Sequence, residues 1–206
     1  MSISHLLART SHHTVITLTL HPDIGPPSLC KPIATSLFVL GLQSSAAKYK
    51  LPVHVGIHEP GAGSKIKNTL IWINAEGEIA QRYQKIHLFD VDIANGPSLK
   101  ESDNVEAGTH LLAPFPSPLG TIGAQICFDM RFPIPAQVLR SHSAQILTYP
   151  SAFTSATGRA GHWEALLRAR AIETQSYVIA AAQVGVHDEV GKRRSWGHSK
   201  TFLSRS

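Results

Sequence analysis

Cys127 is the residue whose type and position most directly indicate chemistry. It follows the largely apolar residues 123–126 and precedes the charged, proline-containing residues 128–133. This change predicts a strand that turns sharply into a helix and delivers its thiol to the carboxyl edge of a sheet. A cysteine at the end of a buried strand is most often a small packing residue, so other residues must decide whether Cys127 is a nucleophile.

Two further charged residues fall near the ends of other predicted elements. Lys85 lies in YQKIHLFD, residues 83–90, where a strand meets a turn, and Glu101 lies in SLKES, residues 98–102. Lysine, glutamate and cysteine side chains at successive strand ends can converge on one pocket. A cation beside a thiol favours the thiolate, which is the nucleophilic form. Taken alone, Glu101 is interpreted as a solvated loop acid.

The motifs around these residues resemble those of the nitrilase superfamily of carbon-nitrogen hydrolases. In that family the nucleophilic cysteine and the lysine lie in segments that read here ICFDMRFP, residues 126–133, and YQKIHLFD. The similarity covers about residues 33–203. The segments HLFDVDI, YPSAF and RARAIETQSYVIAAAQ are most similar to the Nit branch, and within it to deaminated glutathione amidases more than to omega-amidases.

The resemblance implies a role for each candidate residue. Cys127 is the nucleophile that forms a thioester with the acyl group of an amide. Lys85 and the backbone N–H of Phe128 stabilise the oxyanion. Glu101, sixteen residues after Lys85, matches the glutamate that orients the lysine. The implied substrate is a small carboxylate-bearing amide similar to deaminated glutathione, with Arg131 or another basic residue holding the carboxylate; an omega-amidase is the second alternative.

The general base is the part of the pattern that this sequence does not supply. The family has a glutamate about seventy residues before the lysine, near Ile16 in this numbering. The first glutamate of the chain is Glu59, and the earlier acid Asp23 is one methylene shorter and therefore a poor substitute. Glu59 is expected on a later strand, facing solvent or a neighbouring chain. A catalytically inactive or truncated member is therefore the main alternative to an active amidase.

The resemblance also implies the fold, an α/β four-layer α-β-β-α sandwich. We expect a single carbon-nitrogen hydrolase domain over residues 1–206. Residues 1–27 depart from the family pattern, and the family continues into closing strands after residue 203. The sandwich is therefore expected to be incomplete at both termini, as in a truncated or alternatively spliced chain.

Hydrophobic patterning predicts the elements that position these residues. Alternating and β-branched segments predict strands, and 3.6-residue periodicity predicts helices. The predicted strands are 14–20, 53–58, 69–74, 78–83, 121–126, 144–149 and 177–183. The predicted helices are 35–49, 133–142 and 162–174, and a turn at 75–77 predicts a hairpin.

Composition fits one soluble domain. The chain has 206 residues, of which 43% are hydrophobic and 16% charged, and no stretch long enough and apolar enough to span a membrane. Two cysteines give no disulfide framework, and a nucleophilic thiol suits a reducing compartment, so a cytoplasmic location is predicted, with a mitochondrial one as the weaker alternative. Cys30 is expected to be a packing residue.

Charge and histidine content exclude other functions at the level of sequence. The formal net charge is +5, but the only basic cluster, residues 192–194, has no interleaved aromatic residues, so nucleic-acid binding is not predicted. Twelve histidines show no metal-ligand spacing, and no cofactor motif is present. The expected partners are a small amide substrate and a further copy of the chain in a homo-oligomer.

Overall fold

The computed structural model describes residues 3–9, 14–20, 30–92, 98–187 and 194–203, the first two segments and residue 98 through their backbone alone. Asp23 and residues 192–193 of the basic cluster lie outside the described residues. The remaining member of that cluster, Arg194, lies in a strand.

The strands and helices are numbered along the chain. The strands are β1 Ile3–Arg9, β2 Thr14–Leu20, β3 Val53–Pro60, β4 Ile66–Ile73, β5 Ile79–Gln84, β6 Asp90–Asp92, β7 Ser98–Lys100, β8 Val105–Glu106, β9 Phe115–Ser117, β10 Gly120–Ala124, β11 Ile146–Thr148, β12 Tyr177–Ala180, β13 Val184–Val186, β14 Arg194–Trp196 and β15 Lys200–Phe202. The α-helices are α1 Leu37–Tyr49, α2 Pro133–Ser141, α3 Ser155–Arg159 and α4 His162–Thr174. Short 3-10 helices are Ile33–Thr35, Glu101–Asp103 and Cys127–Arg131. None of the helices in the described ranges is long and apolar enough to cross a membrane.

Two sheets organise the chain. The first has the order β1-β2-β3-β4-β5, with β8 beside β4, and the second has the order β15-β12-β11-β10-β9. In the first sheet β3 and β4 are antiparallel, with Val53 opposite Ile73. In the second sheet β10 and β11 are parallel, with Ile122 opposite Ile146. The carboxyl ends of β10, β11 and β12 therefore lie at one edge, where the α/β rule places active sites.

Three hydrophobic clusters hold the layers together. One lies between α1 and the first sheet, a second between the two sheets, and a third between the second sheet and helices α2 and α4. Their buried members are Val39, Ala46, Val53, Val55, Ile57, Ile71 and Ile73 in the first; Leu70, Trp72, Tyr83, Phe115, Ile122, Ala124, Ile126, Ile146 and Ile179 in the second; and Met130, Ala136, Leu139, Ala144, Leu147, Tyr149, Phe153, Trp163, Leu167, Ala171, Val178, Ala180, Ala182 and Phe202 in the third. The predicted α-β-β-α layering is confirmed.

Helix α4 shows how the sequence specifies a layer. Trp163, Leu167 and Ala171 recur at intervals of four and form the buried face, and Leu166 packs partly buried against the same cluster. The helix has the predicted bounds, whereas several strands are shorter: the prediction 144–149 becomes Ile146–Thr148, and 177–183 becomes Tyr177–Ala180. Strands as short as β9 have too little pattern to be predicted.

The predicted hairpin turn connects β4 to β5 and also touches α1. Asn74 Oδ1 accepts hydrogen bonds from the backbone N–H groups of Glu76 and Glu78, at 3.1 and 2.8 Å. Gly77 has a φ of 87°, and a Cβ there would lie 2.5 Å from the carbonyl oxygen of Gln43 in α1. Glycine is therefore required both by the left-handed conformation and by the close approach of the helix.

His54 is a buried polar residue in the cluster between the sheets. Its ring meets Trp72 and Phe115 edge-on, with centroid distances of 5.6 and 6.3 Å. Within the described part of the chain its Nδ1 has no hydrogen-bond partner. Burial lowers the pKa of His54 from 6.5 to about 3, so folding holds the ring neutral.

We expect His54 to make the protein sensitive to mild acid. Because its folded pKa lies below the unfolded value, its contribution is complete above pH 6.5 and is lost as the pH falls from 6.5 towards 3. His54→Gln should flatten the slope of unfolding free energy against pH in the upper part of this window by about 1 kcal/mol per pH unit. Urea unfolding followed by circular dichroism at a series of pH values measures this slope.

The matched control is His110→Gln, because His110 is exposed. The slope of unfolding free energy against pH in His110→Gln should equal that of the wild type. A wild-type slope in His54→Gln would contradict the expectation.

Candidate active site

Cys127 lies at the carboxyl edge of the second sheet, directly after β10. The chain continues beside β11 for three residues: Gln125 N–H donates to Thr148 O, and Cys127 N–H donates to Pro150 O, both at 3.1 Å. Cys127 then opens the 3-10 helix Cys127–Arg131, so the predicted sharp turn is present, with this helix preceding α2.

The backbone at Cys127 is strained. Its φ is 45°, a left-handed conformation that few residues other than glycine adopt. Strain of this kind persists only where the surroundings fix it, and it is concentrated at functional sites. The half-buried cysteine packs against both the cluster between the sheets and the cluster under α2 and α4.

Lys85 follows β5 and carries a buried ammonium. Its backbone N–H donates to Asn68 O at 2.9 Å, and its carbonyl accepts from Gly108 N–H at 2.8 Å, which fixes the segment. The side chain is only 3% exposed, and its Nζ lies 2.6 Å from Glu101 Oε2. A charge removed from water in this way requires such a partner.

Glu101 lies in the 3-10 helix after β7 and is surrounded by donors. Its Oε2 accepts from Lys85 Nζ and from Phe89 N–H, both at 2.6 Å, and its Oε1 accepts from Asn68 Nδ2 at 3.2 Å. Burial by itself would raise the pKa of Glu101, but the Lys85 ammonium and these hydrogen bonds hold the pKa below its usual value. The carboxylate is therefore charged and holds the Lys85 ammonium.

The thiol of Cys127 lies close enough to both charges for each to act on it. Burial raises the pKa of Cys127 most strongly; Lys85 and a hydrogen bond with Ser151 lower it, and Glu101 raises it. The net pKa is above its usual value. Lys85 thus lowers the pKa of the thiol, but burial acts more strongly than the cation.

Phe128 and Arg131 follow Cys127 along its 3-10 helix. The N–H of Phe128 stands in the first turn, where helical N–H groups have no partner within the helix. The Phe128 ring packs edge-on against Phe89, with a centroid distance of 5.1 Å. The guanidinium of Arg131 lies 5.7 Å from the Phe128 ring centroid, and its Nη2 is 3.2 Å from His162 Nδ1. Phe128 therefore directly follows Cys127 in the chain, and Arg131 lies beside the Phe128 ring and His162.

The prediction that Glu59 faces solvent is wrong. Its carboxylate is largely buried and accepts from Thr69 Oγ1 at 2.7 Å and from Arg82 Nη2 at 2.5 Å. Strand alternation places Glu59 on the same face as Val55 and Ile57, which pack against α1. Thr69 and Arg82 come from the neighbouring strands β4 and β5. Glu59 therefore lies on the face of the first sheet that points away from the second sheet.

Position 16, where the resemblance implies the general base, is Ile16 in β2. The backbone of β2 runs parallel to β3, with Ile16 opposite Val53. This confirms the strand predicted at residues 14–20. The other early acid, Asp23, lies outside the described residues.

Sequence reasoning missed Asp129, Tyr83 and His87. Asp129 is fully buried two residues after Cys127, and its carboxylate forms hydrogen bonds with both Tyr83 and His87. An aspartate inside a largely apolar segment is the one sequence signal of such a site. The identity of its donors depends on the packing of β5 against β10.

The two cysteines are free, and Cys30 is half-buried. Burial raises the pKa of Cys30. In the ranges that the structure describes, no group of three histidine, cysteine, aspartate or glutamate residues is arranged to hold a metal ion.

Comparison with known proteins matches residues 26–202 to the carbon-nitrogen hydrolase family. Probable hydrolase nit2 of Schizosaccharomyces pombe is 49% identical over 189 residues, which cover 89% of this chain and 62% of that protein. Deaminated glutathione amidase of Homo sapiens is 49% identical over 148 residues, which cover 70% of this chain and 44% of that protein.

The fold has the same relatives. The crystal structure of the C. elegans NitFhit protein matches with a TM-score of 0.75 at 40% identity, covering 82% of this chain and 41% of that one. The chain spans less than two-thirds of the length of each of these three proteins.

We expect Lys85→Met to make Cys127 less reactive. Because the Lys85 ammonium lowers the pKa of the thiol, its removal should raise the pH midpoint of Cys127 alkylation. Iodoacetamide labelling at a series of pH values, mapped by mass spectrometry, measures this midpoint. Since methionine leaves Glu101 without its cation, the double variant Lys85→Met with Glu101→Gln is measured in parallel.

Two controls accompany this experiment. Lys65→Met removes an ammonium that donates to Ser102 O at 3.0 Å in an exposed position, and it should leave the midpoint unchanged. Cys30 should label identically in every variant. Equal midpoints for Cys127 in the wild type and in both Lys85 variants would refute a role of Lys85 at the thiol.

Proposed function

Because the chain belongs to the carbon-nitrogen hydrolase family, we propose that it hydrolyses the amide bond of a small carboxylate-bearing molecule through a thioester on Cys127. The observation that carries this proposal is the buried ion pair of Lys85 and Glu101 beside the Cys127 thiol. The printed name of the human relative, deaminated glutathione amidase, supports a substrate of that class.

The chemistry follows from the positions of these groups. The Cys127 sulfur bonds to the amide carbonyl carbon, and the π electron pair moves to the oxygen, where Lys85 and the Phe128 N–H donate to it. When that pair re-forms the carbonyl, the C–N bond breaks, the amine leaves with the thiol proton, and the acyl group remains on sulfur. Water then hydrolyses the thioester, releasing a carboxylic acid and restoring the thiol.

The transfer of the thiol proton requires a base near Cys127. Burial raises the pKa of the thiol, so the proton must be removed during attack and then delivered to the leaving amine. Glu101 is bonded to Lys85, Phe89 and Asn68, and Asp129 accepts from two other side chains. Among the described residues, the two carboxylates beside the site therefore already accept hydrogen bonds from other groups.

Because Glu101 and Asp129 already accept hydrogen bonds, a second candidate function is a chain with little or no amidase activity. The chain would keep a nucleophilic thiol and an oxyanion site but cleave amides slowly or not at all. An ester with a good leaving group separates the two candidates, because its leaving group departs without protonation. An amide and an activated ester of the same acyl group therefore differ mainly in their need for the base.

Arg131 supports a carboxylate on the acyl group. Arg131 is four residues after Cys127, and its guanidinium lies beside the Phe128 ring. The planar guanidinium can donate two parallel hydrogen bonds to a carboxylate. His162 lies beside this guanidinium. Deaminated glutathione and the substrates of omega-amidases both carry carboxylates, so Arg131 supports the class rather than the individual compound.

We expect the activated ester of a small dicarboxylic acid to acylate Cys127 and to be hydrolysed. The matching amide should react on the order of 10²- to 10⁴-fold more slowly than with a full-length relative, because the general base is not supplied. Intact-protein mass spectrometry detects the acyl group on the chain, and product release gives the turnover rate.

The control for this experiment is Cys30→Ala, which should behave as the wild type, whereas Cys127→Ala should lose both the acyl adduct and turnover. Hydrolysis that survives in Cys127→Ala would overturn the proposed function. Amide turnover by the wild-type chain at the rate of a full-length relative would show that another residue supplies the base.

Arg131→Gln should weaken the use of carboxylate-bearing acyl donors. Loss of a charge-assisted hydrogen bond is expected to raise the KM for the charged ester by about tenfold or more, while the matching neutral methyl ester changes little. Arg168→Gln is the matched control, because Arg168 pairs with Glu164 on the exposed face of α4. Equal loss for the charged and neutral donors would exclude Arg131 from carboxylate binding.

A further inference from the structure

Asp129 has a saturated set of hydrogen bonds. Its Oδ2 accepts from Tyr83 O–H at 2.8 Å and from Ile126 N–H at 2.9 Å. Its Oδ1 accepts from His87 N–H at 3.0 Å and lies 2.8 Å from His87 Nδ1. Because a carboxylate can only accept, the His87 proton belongs on Nδ1. A carboxylate offers about four acceptor positions, and all are filled.

The four hydrogen bonds of Asp129 exclude a role as a proton acceptor and favour a role in positioning other groups. A fully buried carboxylate that already accepts four hydrogen bonds has no free lone pair for the proton of the thiol. The same four contacts hold the surrounding backbone in one arrangement. Asp129 therefore acts on the position of other groups and does not itself transfer a proton.

The donors lie symmetrically about the two residues of the site. Tyr83 and His87 are each two residues from Lys85, one on either side, and Ile126 directly precedes Cys127. Asp129 itself is two residues beyond Cys127. One carboxylate thus ties both flanks of the lysine segment to both sides of the nucleophile.

Two further contacts fasten the same segments. The Asp129 N–H donates to Ile126 O at 3.0 Å and closes the turn that holds Cys127 at its positive φ. The His87 ring stacks on Phe132, with centroids 3.8 Å apart and planes 14° from parallel. The strained turn and the lysine segment are therefore joined on two sides.

We propose that Asp129, with its donors Tyr83, His87 and Ile126, is a positioning residue that sets the separation between the Lys85 ammonium and the Cys127 thiol. The proposal rests on the roles given to Lys85 and Cys127 in the proposed function. A displacement of about 1 Å between such groups can cost on the order of 100-fold in rate, which is the scale on which the four contacts matter.

The test compares two variants, Tyr83→Phe and Tyr149→Phe, each of which removes one buried tyrosine hydroxyl. Tyr83→Phe removes one donor to Asp129, whereas Tyr149→Phe removes a buried O–H that donates to Gln125 Oε1 at 2.5 Å. Both tyrosines are almost completely buried. Asp129→Asn is the stronger variant, because its amide N–H₂ would face donors in place of an acceptor.

The readout is the pH profile of Cys127 alkylation, in each variant alone and combined with Lys85→Met. Asp129→Asn and Tyr83→Phe should slow the alkylation of Cys127 at neutral pH, by about tenfold in Asp129→Asn, and should reduce the effect of Lys85→Met. Tyr149→Phe should retain the wild-type profile and the full effect of Lys85→Met. Thermal unfolding is recorded for every variant, and if Asp129→Asn does not fold, Tyr83→Phe decides.

Wild-type profiles in Asp129→Asn and Tyr83→Phe would overturn the proposal. Equal changes in Tyr83→Phe and Tyr149→Phe would also overturn it, since they would indicate general loosening of the core. Alkylation requires no turnover, so a chain that fails to hydrolyse amides contradicts the proposed function and leaves this test intact.

Discussion

The arrangement of the site depends on the burial of one ion pair, Lys85 with Glu101. Removing both charges from water is costly, and the cost is offset only when good geometry and additional hydrogen bonds satisfy them. Here Asn68 and the Phe89 N–H complete the shell of the carboxylate at distances of 3.2 and 2.6 Å. Strand β4, the segment after β5 and the 3-10 helix after β7 must therefore meet at one point, beside the thiol.

The two buried carboxylates at this point, Glu101 and Asp129, have different roles. Glu101 has the Lys85 ammonium as its main partner and so holds a charge next to the sulfur, whereas Asp129 accepts from Tyr83, His87 and the Ile126 N–H and holds backbone segments together. The first acts on the pKa of Cys127, and the second fixes the turn that carries it. Glu101 already accepts three hydrogen bonds, one of them from the Lys85 ammonium, and Asp129 accepts four. Neither carboxylate is therefore well placed to take the proton of the thiol.

The sequence was informative where function depends on local pattern and uninformative where it depends on register. Periodicity predicted the bounds of α4, and the family motifs led us to expect Lys85, Glu101 and Cys127 at one site. Glu59 is bound by Thr69 and Arg82, which come from two other strands, so no local feature indicated that this glutamate is buried. The raised pKa of Cys127 likewise arises from burial by both sheets.

A crystal structure of the chain after reaction with an activated dicarboxylic ester would test the central claim most directly. We predict electron density for an acyl group on Cys127 Sγ, with its carbonyl oxygen within hydrogen-bond distance of Lys85 Nζ and the Phe128 N–H, and with the Lys85–Glu101 pair intact. An unmodified Cys127, or an acyl carbonyl turned away from a Lys85 that has left Glu101, would contradict the account.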